Sequence, residues 1–265
     1  MTHRMAPLAL ALTALLLSSA AAPDERSEIE QLVDCAQQNI PDTSIQTMVF
    51  RASDRVGYTR EIRTRVSRKR FENGLSKVFV RVDAPNDLRG AGLLLIEKKS
   101  GTDMFIYLPD LQRVKRVTSR MLSGSLFGSD FTYEDFLNVQ GMALEGRHEL
   151  LPDSKVDGAD VRVVAHYPAE SSGSSYERVV SYWDRETCTT LKGEMWEPGN
   201  HQRKTLTVDR SAIFEDGDVR IPQKLRMQDL RDRTSTDLAI EELEVNVKVH
   251  RKLFSTTSLE RPGIR

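Results

Sequence analysis

Little in this 265-residue chain points to covalent chemistry. It has two cysteines, five histidines and 6 % aromatic residues, and its 38 basic residues balance 39 acidic ones. That balance gives no hint of a nucleic-acid partner. His148, His166, His201 and His250 lie far apart in sequence. There is no H-x-x-x-H or Cys-x-x-Cys spacing, so no metal ligand set is legible. No G-x-S-x-G elbow occurs, and the Gly-Ser-Leu-Phe-Gly-Ser-Asp run at 124–130 lacks the Gly-Lys-Ser/Thr of a phosphate loop. Asp130, Glu134 and Asp135 come nearest to an acid–base set. The structural reading is favoured: Asp130 caps a short helix at Thr132, and the acids sit on its N-terminal dipole. No catalytic residue, cofactor or metal is expected.

Long apolar runs are also missing beyond the N-terminus. There, Arg4 precedes the short apolar stretch Leu8 to Leu17, and small residues at 19–22 follow. This is the pattern of a secretory signal over residues 1–22, cut after Ala21 or Ala22, with an uncleaved anchor as the alternative. The run is short for a bilayer span. No Cys stands at the cut, so the product is expected to be soluble rather than lipid-anchored. In an exported, oxidising compartment the even count favours a Cys35–Cys188 disulfide, with two buried thiols as the alternative.

The remaining chain, 23–265, reads as one mainly β domain. A helix is expected over 24–39, where Ile29, Leu32, Val33 and Ala36 recur at helical spacing until Pro41 ends it. About eleven strands follow, with no βαβ rhythm, separated by turn clusters such as Asn73-Gly74, Asp157-Gly158 and Asp216-Gly217-Asp218. In the last run, Thr236 to Val249, the residues Leu243, Val245, Val247 and Val249 are expected on one face. Such a meander curls into a barrel or half-barrel, which closes around packed side chains or a ligand. Eight Lys or Arg between Arg51 and Arg70, against Asp54 and Glu61 only, read as a solvated strand face. A docking stripe for anionic lipid or an acidic partner is the sharper alternative.

The richest stretch is Arg89 to Phe136. Leu93 and Leu95 point one way and Leu94 and Ile96 the other, so this strand needs cover on both faces. Its partner strand carries Phe105 and Tyr107, and a basic strand is read over Gln112 to Arg120. Met121, Leu122, Leu126, Phe127 and Phe131 then stand in a Gly/Ser loop, as an interaction patch or as an ordinary core loop. Gly128, Asp130, Tyr133 and Asp135 belong to the Gly-Ser-Asp-Phe-Thr-Tyr-Glu-Asp run that ends the loop.

At these residues the chain resembles the LolA-like outer-membrane lipoprotein-sorting proteins. The match starts at Pro85 and Leu88-Arg89-Gly90, then Leu93 to Ile96, Tyr107-Leu108-Pro109 and Arg113-Val114-Lys115-Arg116. It continues through the 128–135 motif, Ile221-Pro222, Thr236 and Glu244-Val245-Asn246. Met104-Phe105-Ile106 replaces the Trp that many relatives have before Tyr-Leu-Pro.

The resemblance implies an incomplete antiparallel barrel with a concave apolar face covered by a few helices. It implies a periplasmic carrier of the acyl chains of a lipid or lipoprotein, acting as a monomer between inner-membrane machinery and the outer membrane. An RND/MMPL-type exporter is the implied partner; the basic strands Arg60 to Arg70 and Arg113 to Arg120 are themselves read as touching lipid headgroups, in a peripheral membrane contact, or an acidic partner surface. The cavity and gate are then expected from Leu93, Leu95, Phe105, Tyr107, Met121, Leu122, Leu126, Phe127 and Phe131. A lipid-sensing adaptor of a membrane protein is the competing reading; a hydrolase is disfavoured for want of a nucleophile–base set.

Overall fold

The computed structural model describes residues 25–142 and 144–261; the expected signal segment lies outside them. Helix α1 (Glu25–Gln38) leads into β1 (Thr43–Ser53), β2 (Thr59–Arg70), β3 (Ser76–Ala84), β4 (Gly92–Lys98), β5 (Gly101–Leu108) and β6 (Arg113–Arg116). Helix α2 (Tyr133–Val139) precedes β7 (Gly146–Val156), β8 (Ala159–Pro168), β9 (Arg178–Asp184), β10 (Thr190–Glu197) and β11 (His201–Val208). Then come β12 (Ile213–Asp216), β13 (Val219–Pro222), β14 (Lys224–Asp229), β15 (Thr234–Val245) and α3 (Thr256–Glu260).

Thirteen strands form one antiparallel sheet in the order β6-β5-β4-β3-β2-β1-β15-β14-β11-β10-β9-β8-β7, and β12-β13 make a separate hairpin. β6 and β7 remain edges, so the sheet is an unclosed barrel. The expected half-barrel is therefore present, with more strands than the eleven read from sequence. Two stretches that alternate in sequence like single strands, Lys204 to Phe214 and Val219 to Gln228, account for part of the difference. The 204–214 run breaks at a short helical turn over Arg210–Ala212, and the 219–228 run breaks at Pro222, which lacks the N–H a ladder needs. The basic strand is shorter than expected, ending at Arg116.

The Asn73-Gly74 turn joins β2 to β3 with Gly74 at φ +79°, a left-handed conformation that glycine adopts without strain. From there the concave face is apolar. Phe50, Ile62, Val66, Val80, Leu93, Leu95, Met104 and Ile106 pack with Leu122, Leu126, Phe127 and Phe131 of the loop and with Phe136 of α2. Phe50 and Phe131 meet edge to face at 5.8 Å. Each fully buried side chain of this size contributes about 1.5–3 kcal/mol, which holds the loop down on the sheet.

The convex face of β3 and β4 carries a second cluster. Phe79 and Leu94 are covered by Val249, Leu253, Phe254 and Leu259 from the C-terminal segment. The expectation for the 236–249 run is corrected here. β15 stops at Val245, Asn246 takes a left-handed φ of 56°, and Val247 and Val249 pack on the convex side. Arg81 pins this segment, donating to the carbonyls of Gly90, Ser258 and Leu259 at 2.6–2.8 Å. A guanidinium on the last carbonyls of a helix satisfies acceptors that the helix itself leaves free. So the two-faced apolar character of β4 reflects the loop and α2 on one side and the chain's own C-terminus on the other.

Candidate functional site

The site is built from α2 outward. Thr132 is the N-cap of α2: its hydroxyl accepts from Asp135 N at 3.0 Å, and Thr132 N donates to Asp135 Oδ2 at 2.8 Å. This reciprocal box satisfies two orphan donors. The expected cap, Asp130, does something else. Its carboxylate accepts from the Thr234 and Thr236 hydroxyls on β15, the latter at 2.6 Å. An N-cap must lie immediately before the first helical residue, and Asp130 is too far upstream.

Asp135 also reaches outward, accepting from Lys204 Nζ at 2.8 Å and from the Tyr176 hydroxyl at 3.0 Å. Lys204 in turn donates to the carbonyl of Asp130 at 2.6 Å. Glu134 accepts from the Ser174 hydroxyl and from Ser175 N. Burial, offset in part by the Ser174 bond, pushes its carboxyl up to about 7. Burial and the neighbouring carboxylates likewise raise Tyr176 well above its ordinary value. The acidic motif thus ties α2 to β15, to β11 and to the segment before β9. It is a clamp across the concave face.

The Gly/Ser loop is equally fixed. Leu126 N donates to Phe131 O, Tyr133 N to Gly124 O and Glu134 N to Leu122 O, at 2.7–3.2 Å. A Cβ on Gly124 would stand 3.0 Å from Met121 O and 3.3 Å from the Tyr133 ring, so glycine permits the loop to close on α2. Met121 is half-buried and Gly128 exposed, while Leu122, Leu126, Phe127, Phe131 and Tyr133 are buried.

The open space lies at the other end of the sheet. A cavity of about 360 Å³ separates α1 from the concave face of β1, β15, β14 and β8–β11. That volume falls in the usual range of ligand sites, about 300–1,000 Å³. Its roof is the apolar stripe of α1: Ile29, Leu32, Val33 and Ala36. All four are only half-buried, because they hang over the cavity instead of interdigitating with the sheet. Its floor includes Met48, Val164, Val179, Met195, Leu206, Met227 and Leu238.

Helix α1 is nonetheless held at several points. Cys35 is disulfide-bonded to Cys188 in the β9–β10 turn, with Cα atoms 5.9 Å apart. Glu28 pairs with Arg162 on β8, and Asn39 Nδ2 donates to Thr187 O at 2.7 Å.

The residues expected to line a cavity are placed differently. Leu93, Leu95, Leu122, Leu126, Phe127 and Phe131 pack into the concave core, with Met121 against it, and none borders the open space. Phe105 and Tyr107 are on the convex face, because Leu94 pairs with Phe105 in the register and the two share a side. Only Asp135 among the motif residues reaches the cavity wall. The basic stripe is largely neutralised: Arg51 and Arg63 pair with Glu61 and Glu241, Arg60 with Asp87, and Arg70 with Asp42.

Two features escaped the sequence reading. His148 and His166 face each other across β7 and β8, Nε2 to Nδ1 at 3.1 Å, in the cavity wall. Burial first, and then the facing His148, hold the His166 imidazole down to about 4, so it is neutral at neutral pH. Among the described residues no group of three or more His, Cys, Asp or Glu side chains could hold a metal ion. The second feature is Arg68, a buried guanidinium on the cavity wall.

The arrangement matches known proteins. A domain described as an outer membrane lipoprotein-sorting protein, from Vibrio parahaemolyticus, superposes with TM-score 0.77 at 27 % identity, over 88 % of this chain and 99 % of that one. A DUF1329 family protein from Desulfovibrio piger gives TM-score 0.80 at 20 % identity, covering 89 % and 98 %. A LolA superfamily protein from Nitrosomonas europaea gives 0.64 at 18 %, covering 85 % and 96 %; these last two show the fold. No curated protein matches the chain in sequence. The model of a family described as uncharacterized protein-like matches residues 74–261, well over half of the chain. The chain belongs to that family, and its fold is that of the LolA-like outer-membrane lipoprotein-sorting proteins.

Proposed function

We propose that this protein is a periplasmic carrier that holds an acyl chain of a lipid or lipoprotein beneath α1 and moves it between the inner-membrane machinery and the outer membrane. One observation supports this above the others. The apolar face of α1 is left half-buried over a cavity walled by methionine, valine and leucine side chains. A helix that served only to complete the core would pack into that space, since interiors are normally filled to close-packed density. Methionines suit a site that adapts to a chain of varying shape, because their side chains repack at little cost.

The disulfide makes α1 a tethered lid: it can rise at its N-terminal end while Cys35 stays fixed to the sheet. Loading and release then follow from the difference in affinity between lowered and raised positions, with no covalent step. The α2 side, with Asp135, Asn138 and Val139, forms a fixed wall of the container, and the loop 121–131 fills the core behind it. An RND/MMPL-type exporter as the donor of cargo, and export by the N-terminal signal, rest on the sequence pattern and the resemblance. The test is to purify the protein from a periplasm and extract it. Mass spectrometry should find an acyl lipid in stoichiometric amount; a lipid-free protein that also ignores acyl probes would overturn the proposal.

A further inference from the structure

The cavity is apolar on most of its wall, yet at the end nearest α2 it contains a cation with no anion. Arg68 on β2 is 6 % exposed. It faces the cavity together with Ser44 and Gln46 of β1, which share its side of the sheet through the Ser44–Arg68 and Gln46–Val66 register. Arg68 Nη1 donates to the carbonyl of Gln140 at 2.8 Å and Nη2 to the Ser76 hydroxyl at 3.0 Å. Both partners are neutral. Nε is buried and has no hydrogen-bond partner, and among the described residues no carboxylate lies within 4.0 Å of the guanidinium. Glu97 attracts it only from a distance, and Arg70 repels it.

A buried guanidinium is ordinarily paired, because taking its charge out of water is costly. Burial lowers Arg68 to about 10, which leaves it protonated at neutral pH. The other charges on the wall do not compensate. Asp135 is already committed to Lys204, Tyr176 and the cap of α2. His148 and His166 are held toward the neutral form by burial. Arg220, also on the wall, adds a second cation whose nearest carboxylate contact is Glu215 at 3.8 Å.

Beside Arg68, the Gln46 amide donates to the Ser44 hydroxyl at 3.2 Å while its own oxygen has no partner. Turned about its terminal bond, this amide would take the Ser44 proton and offer its NH₂ group to an anion.

We infer that the cavity takes a single-headed anionic amphiphile, its acidic head against Arg68 and Gln46 and its chain beneath α1. The charge is then completed by the cargo, and the head fixes the polarity with which the chain enters. A carboxylate is the head group of choice, since its two oxygens can accept from a guanidinium nitrogen and an amide together. The inference rests on the acyl-carrier reading and goes beyond it by naming the head.

The test compares a fluorescent polyene fatty acid with its methyl ester, titrated into the full-length mature protein at pH 8. The acid is expected to bind about tenfold tighter or more, the size of one charge-assisted hydrogen bond. Arg68→Met should abolish that preference while leaving ester binding in place, and Arg68→Lys should keep part of it. Circular dichroism of each variant separates loss of folding from loss of binding, and the wild-type comparison needs no variant at all. Equal affinity for acid and ester would overturn the anionic head and leave the acyl-carrier reading standing. Binding of neither probe would overturn both. If the alkyl phosphate of the same chain binds tighter than the acid, the carboxylate assignment falls.

Discussion

Cys35 and Cys188 stand 153 residues apart in sequence and are bonded in space, so the one long helix at the start of the described chain is covalently fixed to a turn of the sheet. Their Cα separation of 5.9 Å is that of an ordinary disulfide. Closing so long a loop restricts the unfolded chain strongly. Replacing both cysteines by alanine is expected to lower the unfolding free energy by about 3–5 kcal/mol, read from urea denaturation. An unchanged midpoint would mean that α1 is held by its packing and ion pairs alone.

Asp135 and Lys204 are both almost fully buried and share a 2.8 Å contact. Removing one partner strands the other. Lys204→Met should cost about 3–5 kcal/mol, and adding Asp135→Asn should recover part of that loss. Independent, additive losses in that cycle would contradict the clamp.

Glu134 gives a pH signature. Its folded carboxyl is raised to about 7 from an ordinary 4.5, with burial as the leading cause. The folded state therefore binds the proton more tightly than the unfolded state. The corresponding stability is fully present below about pH 4.5 and is lost as pH rises through about 7, at most about 3 kcal/mol. Glu134→Gln should flatten the fall in Tm between pH 5 and 8; its amide oxygen can keep the bond from Ser175 N while its NH₂ group donates to the Ser174 hydroxyl. A variant with the same slope as wild type would show that another group is responsible.

The lid and the core should respond differently to substitution. Leu32→Asp, on the half-buried face of α1, is expected to abolish acyl-probe binding with a stability change of about 1 kcal/mol or less. Phe131→Ala, in the filled half, should cost about 3–5 kcal/mol through the void it leaves. If Leu32→Asp binds the probe as well as wild type, the roof of the cavity is misassigned.

Much of the architecture is legible in the chain. Turn residues mark most of the strand ends, and the 29, 32, 33, 36 spacing marks the lid with its correct face. The site is less so. Large apolar residues in a Gly/Ser loop look like a gate in sequence, but the same residues serve equally well as a plug, and the loop's backbone bonds to α2 make it one. Phe105 and Tyr107 lie on the convex side, because side-chain direction depends on register and one residue of register reverses it.

The His148–His166 pair shows the same limit. A two-residue turn at Asp157-Gly158 pairs Val156 with Ala159; run on without interruption, it would set His148 opposite Tyr167. The ladder slips by one residue between Leu151 and Ser154, and His148 meets His166 instead. Pro152, which has no N–H for the ladder, sits within that slip. Arg68 counts in sequence as one charge of the basic stripe, yet the two-residue alternation from Ile62 through Thr64 and Val66 puts it on the buried face of β2.

The chain's two tryptophans allow the central claim to be tested inside one molecule. Trp183 lines the cavity, whereas Trp196 packs in the cluster on the opposite face of the sheet. Brominated acyl chains quench a tryptophan only at close contact. Titrated into Trp196→Phe and Trp183→Phe, a brominated fatty acid should quench the fluorescence of the first variant, where Trp183 remains, and leave the second unchanged. Quenching of both to the same extent, or of neither, would contradict an acyl chain held beneath α1.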